Sequence, residues 1–456
     1  MSGLAVSAER RVEELIDSSP MRLSQWRAIG LCSIVAMLDG FDLQVMSFVA
    51  PIVSERFDFG PEVVGYLLSA ALAGLMLGSF VASPFSDRFG RKPVIIAACL
   101  LMGTFSFLTA FAADATTEFI AFRFLTGLGL GAALPNIQTL TSEIVPKRRR
   151  ALLMTLMFLG FPAGAIFGGL GSTHIIAEFG WESLFVIGGV LPFFTAVLLF
   201  FCMVESFRWL ASKKPTSTAL LQFMEKSRVS ASNAKPSFLP EEPSQNLEPI
   251  AEHPLGANAR VLTFFLWLLF FSNLMLLYTL LTWLPSLMAR LGESLDFAIH
   301  AAVVFNIGGA AGGMFLAWLM DRMGGVVALT SAYVLAIMLL LIVAMLGLDG
   351  STLMVGIFIL GIPVAGTPFG VSALAASLYA PPVRGRGVGW ALAVGRLGAV
   401  IGPSVAGYLL LYISVWELVL TAIIPVLLCL GSIVLLSCEL RNVNSGRSRS
   451  SRSRIL

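Results

Sequence analysis

Two carboxylates, Asp39 and Asp42, stand three residues apart in Met37-Leu38-Asp39-Gly40-Phe41-Asp42, inside the first long apolar run of the chain. On a helix, residues i and i+3 project from nearly the same face. A charged side chain at the bilayer centre costs about 2.5–3.5 kcal/mol on insertion scales. An acidic pair there therefore calls for a protein interior or a water-filled path. Two arginines also fall inside apolar runs, Arg123 a turn or so into the fourth and Arg396 near the middle of the eleventh. The chemistry open to these residue types is complementary. A planar guanidinium grips a carboxylate through two parallel hydrogen bonds, which suits an anionic substrate. Desolvation disfavours the charged form of a carboxyl group, which suits a residue that loads and releases a proton. Asn136 and Glu143 share a helical face toward the end of the fourth run, while Tyr278 and Trp283 in the seventh and Asn306 in the eighth add hydrogen-bonding groups. Internal ion pairing that only holds helices together is the alternative reading for the arginines and the acidic pair.

These residues need elements that cross a membrane. Of the 456 residues, 57% are hydrophobic and 12% charged, against about 25% charged in soluble domains. The composition is that of an all-α, polytopic membrane protein. Apolar runs of spanning length occur at 26–50, 62–83, 93–112, 118–140, 151–173 and 182–203, then at 261–289, 298–320, 326–347, 352–378, 387–411 and 415–438. The expected organisation is a polar N-terminal tail (1–25), a six-helix bundle (26–204), a linker (205–259), a second six-helix bundle (260–438) and a basic tail (439–456). No cleavable signal peptide is evident, because the first apolar run is long enough to span. The linker carries Lys213-Lys214-Pro215, Pro236, Pro240 and Glu241-Glu242-Pro243, with a surface helix expected near its start. The serine- and arginine-rich tail, Ser445 to Arg454, reads as a disordered segment attracted to anionic lipid rather than as a nucleic-acid binder. Outer loops carry only Arg56 and Arg290; apart from Arg123 and Arg396, the other Lys and Arg lie in the tails, in the linker or on the linker's side. The positive-inside rule then puts both termini and the linker in the cytoplasm.

The two sets of six repeat each other. The second run of the first half leads into Asp87-Arg88-Phe89-Gly90-Arg91-Lys92, and that of the second half into Asp321-Arg322-Met323-Gly324. A basic turn precedes the fifth run of each half, Pro146-Lys147-Arg148-Arg149-Arg150 and Pro382-Val383-Arg384-Gly385-Arg386. Two pseudo-symmetric bundles in the same orientation are the plan of an alternating-access transporter with its site near the midplane. Ordinary topology would explain the bases of the repeated turn but not Asp87 or Gly90; the turn, with Asp87, Arg88, Gly90, Arg91 and Lys92 and its partial copy Asp321 and Arg322, is read as a conformational gate in which a charge network holds one conformation. Arg148 or Arg150, and Arg384 or Arg386, are the candidate partners of Asp87. Gly325 and Val326 stand where a basic pair would complete the second copy, so the gate is not expected to be symmetrical.

Other chemistries find little support. Gly127-Leu128-Gly129-Leu130-Gly131 lies within an apolar run with no strand before it, so it reads as close helix packing rather than a nucleotide loop. No Gly-Lys dipeptide occurs, hence no P-loop. His174, His253 and His300 lack metal-ligand spacing, the five cysteines form no CxxC pair, and no nucleophile–base grouping stands out. Neither an enzyme, a bound metal nor a cofactor is expected.

Asp39-Gly40-Phe41-Asp42, Asp87-Arg88-Phe89-Gly90-Arg91-Lys92, and the stretch from Arg123 through Gly127-Leu128-Gly129-Leu130-Gly131 to Pro135-Asn136 with Thr141-Ser142-Glu143 resemble the major facilitator superfamily. With Gly385-Arg386-Gly387-Val388-Gly389-Trp390 and Gly395-Arg396-Leu397-Gly398 they resemble, more narrowly, its aromatic acid:proton symporters. The resemblance covers nearly the whole chain apart from linker and tails. It implies the major facilitator fold and inward symport of an aromatic carboxylate (4-hydroxybenzoate, protocatechuate or benzoate) with protons across a bacterial inner membrane, by a protein that functions as a monomer. It also implies that Asp39 and Asp42 are the essential acidic pair, and that Arg123, Glu143, Arg386 and Arg396 are functional charges. A carrier of another organic anion, such as muconate or another dicarboxylate, or of a sugar would share the superfamily features, as would a non-transporting sensor; a channel is disfavoured by the repeat.

Overall fold

In lipid every backbone polar group must be satisfied within its own segment, so long apolar runs become helices. The computed structural model describes residues 11–112, 116–214, 216–231, 260–346, 350–379 and 381–452, and every regular element among them is helical. Among the described residues, twelve helices are long and apolar enough to cross a membrane: Leu23–Arg56, Pro61–Phe89, Arg91–Thr109, Thr116–Ile144, Leu152–Phe179, Glu182–Cys202, Arg260–Arg290, Leu295–Met323, Gly325–Leu346, Gly350–Leu378, Val383–Leu409 and Val415–Glu439. They coincide with the twelve apolar runs, several extending a turn or more past the predicted ends. Pro236, Pro240, Glu241-Glu242-Pro243 and His253 lie outside the described residues.

Contact density groups the chain into two compact units, Met1–Val45 with Ala73–Glu242, and Met46–Leu72 with Pro243–Leu456. The first and second spans thus contribute to both.

Lipid tails are as apolar as leucine, so helices in a membrane associate through close packing of small residues. In the first unit Gly40 faces the Phe161 carbonyl and Gly164 faces that of Met37, so the first and fifth spans meet backbone to backbone beside the acidic pair. The fourth-span glycines act in the same way: Gly129 packs on the third span at Ala98 and Met102, and Gly131 on the second at Leu75. Cys32, Val35, Ile95, Cys99, Ile137 and Leu199 fill the interior that these approaches create.

A smaller cluster forms at the linker end of this unit. Val12 and Ile16, on a helix over 11–18, pack with Phe207, Leu210, Leu220 and Phe223. The last four belong to two short helices, Phe207–Lys213 and Thr218–Ala231. Phe207 stacks on Phe223 with ring centroids 4.0 Å apart. Lys147 Nζ reaches Glu13 at 3.2 Å and Asp17 at 3.6 Å, tying the N-terminal helix to the turn before the fifth span. The start of the linker and part of the N-terminal tail, read from the sequence as separate polar segments, share a core.

The second unit is held by buried polar links. Asn273 donates to Tyr333 Oη at 2.7 Å and to Thr367 Oγ1 at 2.8 Å, joining the seventh, ninth and tenth spans. Trp283 Nε1 donates to the Pro403 carbonyl at 2.9 Å, and Ser47 Oγ to that of Thr282 at 2.7 Å. One expectation fails here. The basic tail is not irregular throughout, because the last helix, Ile423–Arg452, runs on into it. Arginine is a good helix former, and extending an existing helix avoids the cost of a new nucleus.

Candidate functional site

Asp42 and Arg123 form a buried ion pair. Arg123 is 0% exposed and Asp42 3%. The guanidinium meets both carboxylate oxygens, Nη2 to Oδ2 at 3.1 Å and Nη1 to Oδ1 at 3.3 Å, and Nη2 also donates to the Asp42 carbonyl at 3.0 Å. Ser106 Oγ, from the third span, donates to Asp42 Oδ1 at 3.1 Å. The Phe185 ring of the sixth span lies under the guanidinium, 5.6 Å to its centroid. Gly188, one turn on, keeps this corner open, since a Cβ there would come within 2.8 Å of Ser106 Oγ. Four spans thus converge on one charge pair, and three of the contacts are charge-assisted hydrogen bonds. Asp39, a turn earlier, is buried at 1% exposure.

The other candidates are spread over both units. Asn136 is buried in the first and donates back to the Ala132 carbonyl at 2.8 Å. In the second, Asn306 does the same to Ala302 at 2.8 Å, Trp283 is spent on Pro403, and Tyr278 and Arg396 are half-buried.

The repeated turn is a network, though with other partners than expected. Arg91 Nη2 bridges Glu143 Oε1 at 3.2 Å and Asp87 Oδ1 at 3.4 Å, while Nη1 donates to the Ser86 carbonyl at 3.1 Å. Arg148 is exposed and Arg150 half-buried, and among the described residues neither pairs with Asp87. Arg88 lies over the Phe89 ring at 5.3 Å. In the second unit Asp321, Arg322, Arg384 and Arg386 are exposed, and Arg322 lies over the Trp318 ring at 4.6 Å. Asp87 takes Arg91 because the chain reverses at Gly90 between the second and third spans, while Arg91 also reaches Glu143.

Glu205, absent from the sequence reading, organises this turn. Its carboxylate accepts from the backbone N–H of Arg91 at 3.0 Å, of Lys92 at 3.2 Å and of Ser206 at 2.8 Å. Gly90, the residue capping the third span, offers no side-chain acceptor. Glu205 therefore caps the helix from the end of the sixth span, where a carboxylate also meets the positive end of the helix dipole. Burial pushes the Glu205 carboxyl above its ordinary value, against the lowering effect of these three N–H groups and the Arg91 charge. Lys92 Nζ donates to the Phe200 and Met203 carbonyls, each at 2.8 Å, closing the other end of the contact. The signal available in the sequence was a lone acid directly after a span on the base-rich side.

Residues 32–370 match the Major Facilitator Superfamily. A 4-hydroxybenzoate transporter of Pseudomonas aeruginosa is 35% identical over 427 residues, 93% of this chain and 95% of the relative. A gallate transporter of Pseudomonas putida is 34% identical over 407 residues, 89% of this chain and 90% of the relative. The crystal structure of a D-xylose–proton symporter, at 15% identity, superposes with a TM-score of 0.70 over 90% of this chain and 97% of that one. A transporter and not an enzyme, the chain belongs to the major facilitator superfamily, within its group of aromatic acid transporters.

Proposed function

We propose that the protein imports an aromatic carboxylate such as 4-hydroxybenzoate, protocatechuate or benzoate together with protons, by alternating access. The observation that carries this reading is the buried Asp42–Arg123 pair in a chain whose relatives carry 4-hydroxybenzoate and gallate. A guanidinium already matched to a carboxylate is matched to a substrate carboxylate as well. When Asp42 takes a proton, its charge is lost and Arg123 is released to hold the incoming anion. When the substrate leaves, the proton leaves too and the pair re-forms. Proton and anion loading are thereby the same event, which is the requirement of symport. Asp39 serves as the second proton site, Arg396 as the second cation for substrate, with Asn136, Tyr278 and Asn306 as polar groups for the ring and its substituents. Arg91, Glu143 and Glu205 belong to the conformational gate with Asp87. The cycle runs on the proton gradient without a cofactor. The base distribution supports cytoplasmic termini; a bacterial inner membrane and a monomeric working unit complete the proposal.

The test is uptake of radiolabelled 4-hydroxybenzoate and benzoate by cells or proteoliposomes holding the full chain, with and without a protonophore. Accumulation above the external concentration is expected, and the protonophore should abolish it. Asp39→Asn and Asp42→Asn should each lose it. Protonophore-insensitive accumulation, or full accumulation in both variants, would overturn the proton role; no uptake across a panel of aromatic acids would overturn the substrate class.

A further inference from the structure

The far end of the seventh span, opposite the end that the linker joins, holds a polar cavity of about 200 Å³. Pro51 and Ser54 of the first span, Val64 of the second, and Trp283, Ser286 and Arg290 of the seventh line it. All lie in one compact unit. A cavity of about 150 Å³ accommodates benzene, so this one has room for a single aromatic ring and a small substituent.

Three features make it more than a packing gap. Ser286 Oγ is buried and, among the described residues, has no hydrogen-bond partner, although the residue is only 6% exposed. Helical serines usually bond back to the carbonyl four residues earlier. For Ser286 that is Thr282, whose carbonyl already accepts from Ser47 Oγ at 2.7 Å. A buried hydroxyl without a partner costs about 1–3 kcal/mol, and Ser286 is one of the residues that line the cavity. Arg290, at the cavity rim, is exposed and, among the described residues, forms no ion pair. The wall beside them is the Trp283 indole, held in place by its bond to Pro403. A cation at the rim, a hydroxyl without a partner and a rigid aromatic wall around a ring-sized space form a recognition set for an aromatic carboxylate.

We infer that this cavity is a first capture site, in which an aromatic carboxylate entering from the side opposite the termini places its carboxylate on Arg290 and Ser286 and its ring against Trp283, before transfer inward. The inference rests on the aromatic-acid reading. It adds a separate low-occupancy station whose effect lies in capture at scarce substrate, because an electropositive spot raises the local anion concentration and the association rate.

The test is a concentration series of radiolabelled 4-hydroxybenzoate uptake in proteoliposomes, together with equilibrium binding of labelled benzoate to the purified full chain. Arg290→Gln, and Ser286→Leu, which fills the cavity, should each raise KM about five- to tenfold, with less than a twofold fall in the rate at saturation. Arg290→Lys should stay within about threefold of the wild-type KM, and neutral benzamide should not compete for benzoate binding. An unchanged KM in both Arg290→Gln and Ser286→Leu overturns the capture site and leaves the transport reading standing, and so does a fall in saturating rate alone. Wild-type protein that transports no aromatic acid, yet loses benzoate binding on Arg290→Gln, would instead sink the transport reading and retain the site.

Discussion

Asp42→Asn is expected to lower aromatic-acid uptake at least a hundredfold and to cause the largest stability loss of any single change among the membrane-embedded charges. The variant leaves Arg123, 0% exposed, with its hydrogen-bond geometry nearly intact and its counter-charge gone. Removing one member of a buried pair costs about 3–5 kcal/mol because the other charge stays desolvated. Ser106 and the Phe185 ring cannot supply the missing negative charge. Asp42→Asn/Arg123→Gln removes both charges and should recover most of the thermal stability, since a neutral pair in a buried site carries little desolvation penalty. Uptake should stay lost in the double variant, because neither proton nor carboxylate would then have its partner. Thermal unfolding of the detergent-purified protein and uptake in proteoliposomes, taken together, separate the two roles. A double variant that regains wild-type uptake would reduce the pair to scaffolding.

The elements were legible in the sequence for a reason peculiar to lipid. A span needs its whole length to be apolar, so twelve runs stood out, and Gly127-Leu128-Gly129-Leu130-Gly131 within one of them had packing as its simplest use, which Gly129 and Gly131 fulfil. The site was half legible. Buried charges announce themselves by their insertion cost, which is why Asp39, Asp42 and Arg123 were identifiable. Which carboxylate Arg123 would take was not, because i and i+3 differ in direction by about 60° on a helix with 3.6 residues per turn, and only the positions of the third and sixth spans decide between them. Ser106 and Phe185 belong to that decision and carry no sequence signal of their own. The gate turn erred for the opposite reason: Arg148 or Arg150 was expected to partner Asp87, yet Arg91, at the start of the next helix, takes Asp87 and reaches Glu143 as well.

Glu205 and Gly90 show how such a long-range contact leaves its mark on a local rule. Gly90 sits at φ 103° and ψ 167°, a region essentially closed to residues with a Cβ and costing such residues roughly 1–3 kcal/mol. A Cβ at this position would also occupy the space of the Glu205 carboxylate. Gly90→Ala should therefore act twice, by straining the turn and by displacing the acceptor of the Arg91 and Lys92 backbone N–H groups at the start of the third span. Arg91 is the next residue, so its bridge to Glu143 should be displaced as well. Uptake is expected to fall at least tenfold, with a clear drop in thermal midpoint. The two causes separate in Gly90→Ala/Glu205→Ala, which relieves the collision and keeps the strained dihedral. If collision dominates, this double variant is more stable than Gly90→Ala alone; if strain dominates, it is less stable, having lost the cap besides. Glu205→Gln, which retains an acceptor but removes the charge, should cost less than Glu205→Ala in both assays. Wild-type uptake by Gly90→Ala would remove the turn from the transport cycle, and with it the reason for a carboxylate buried at the end of the sixth span.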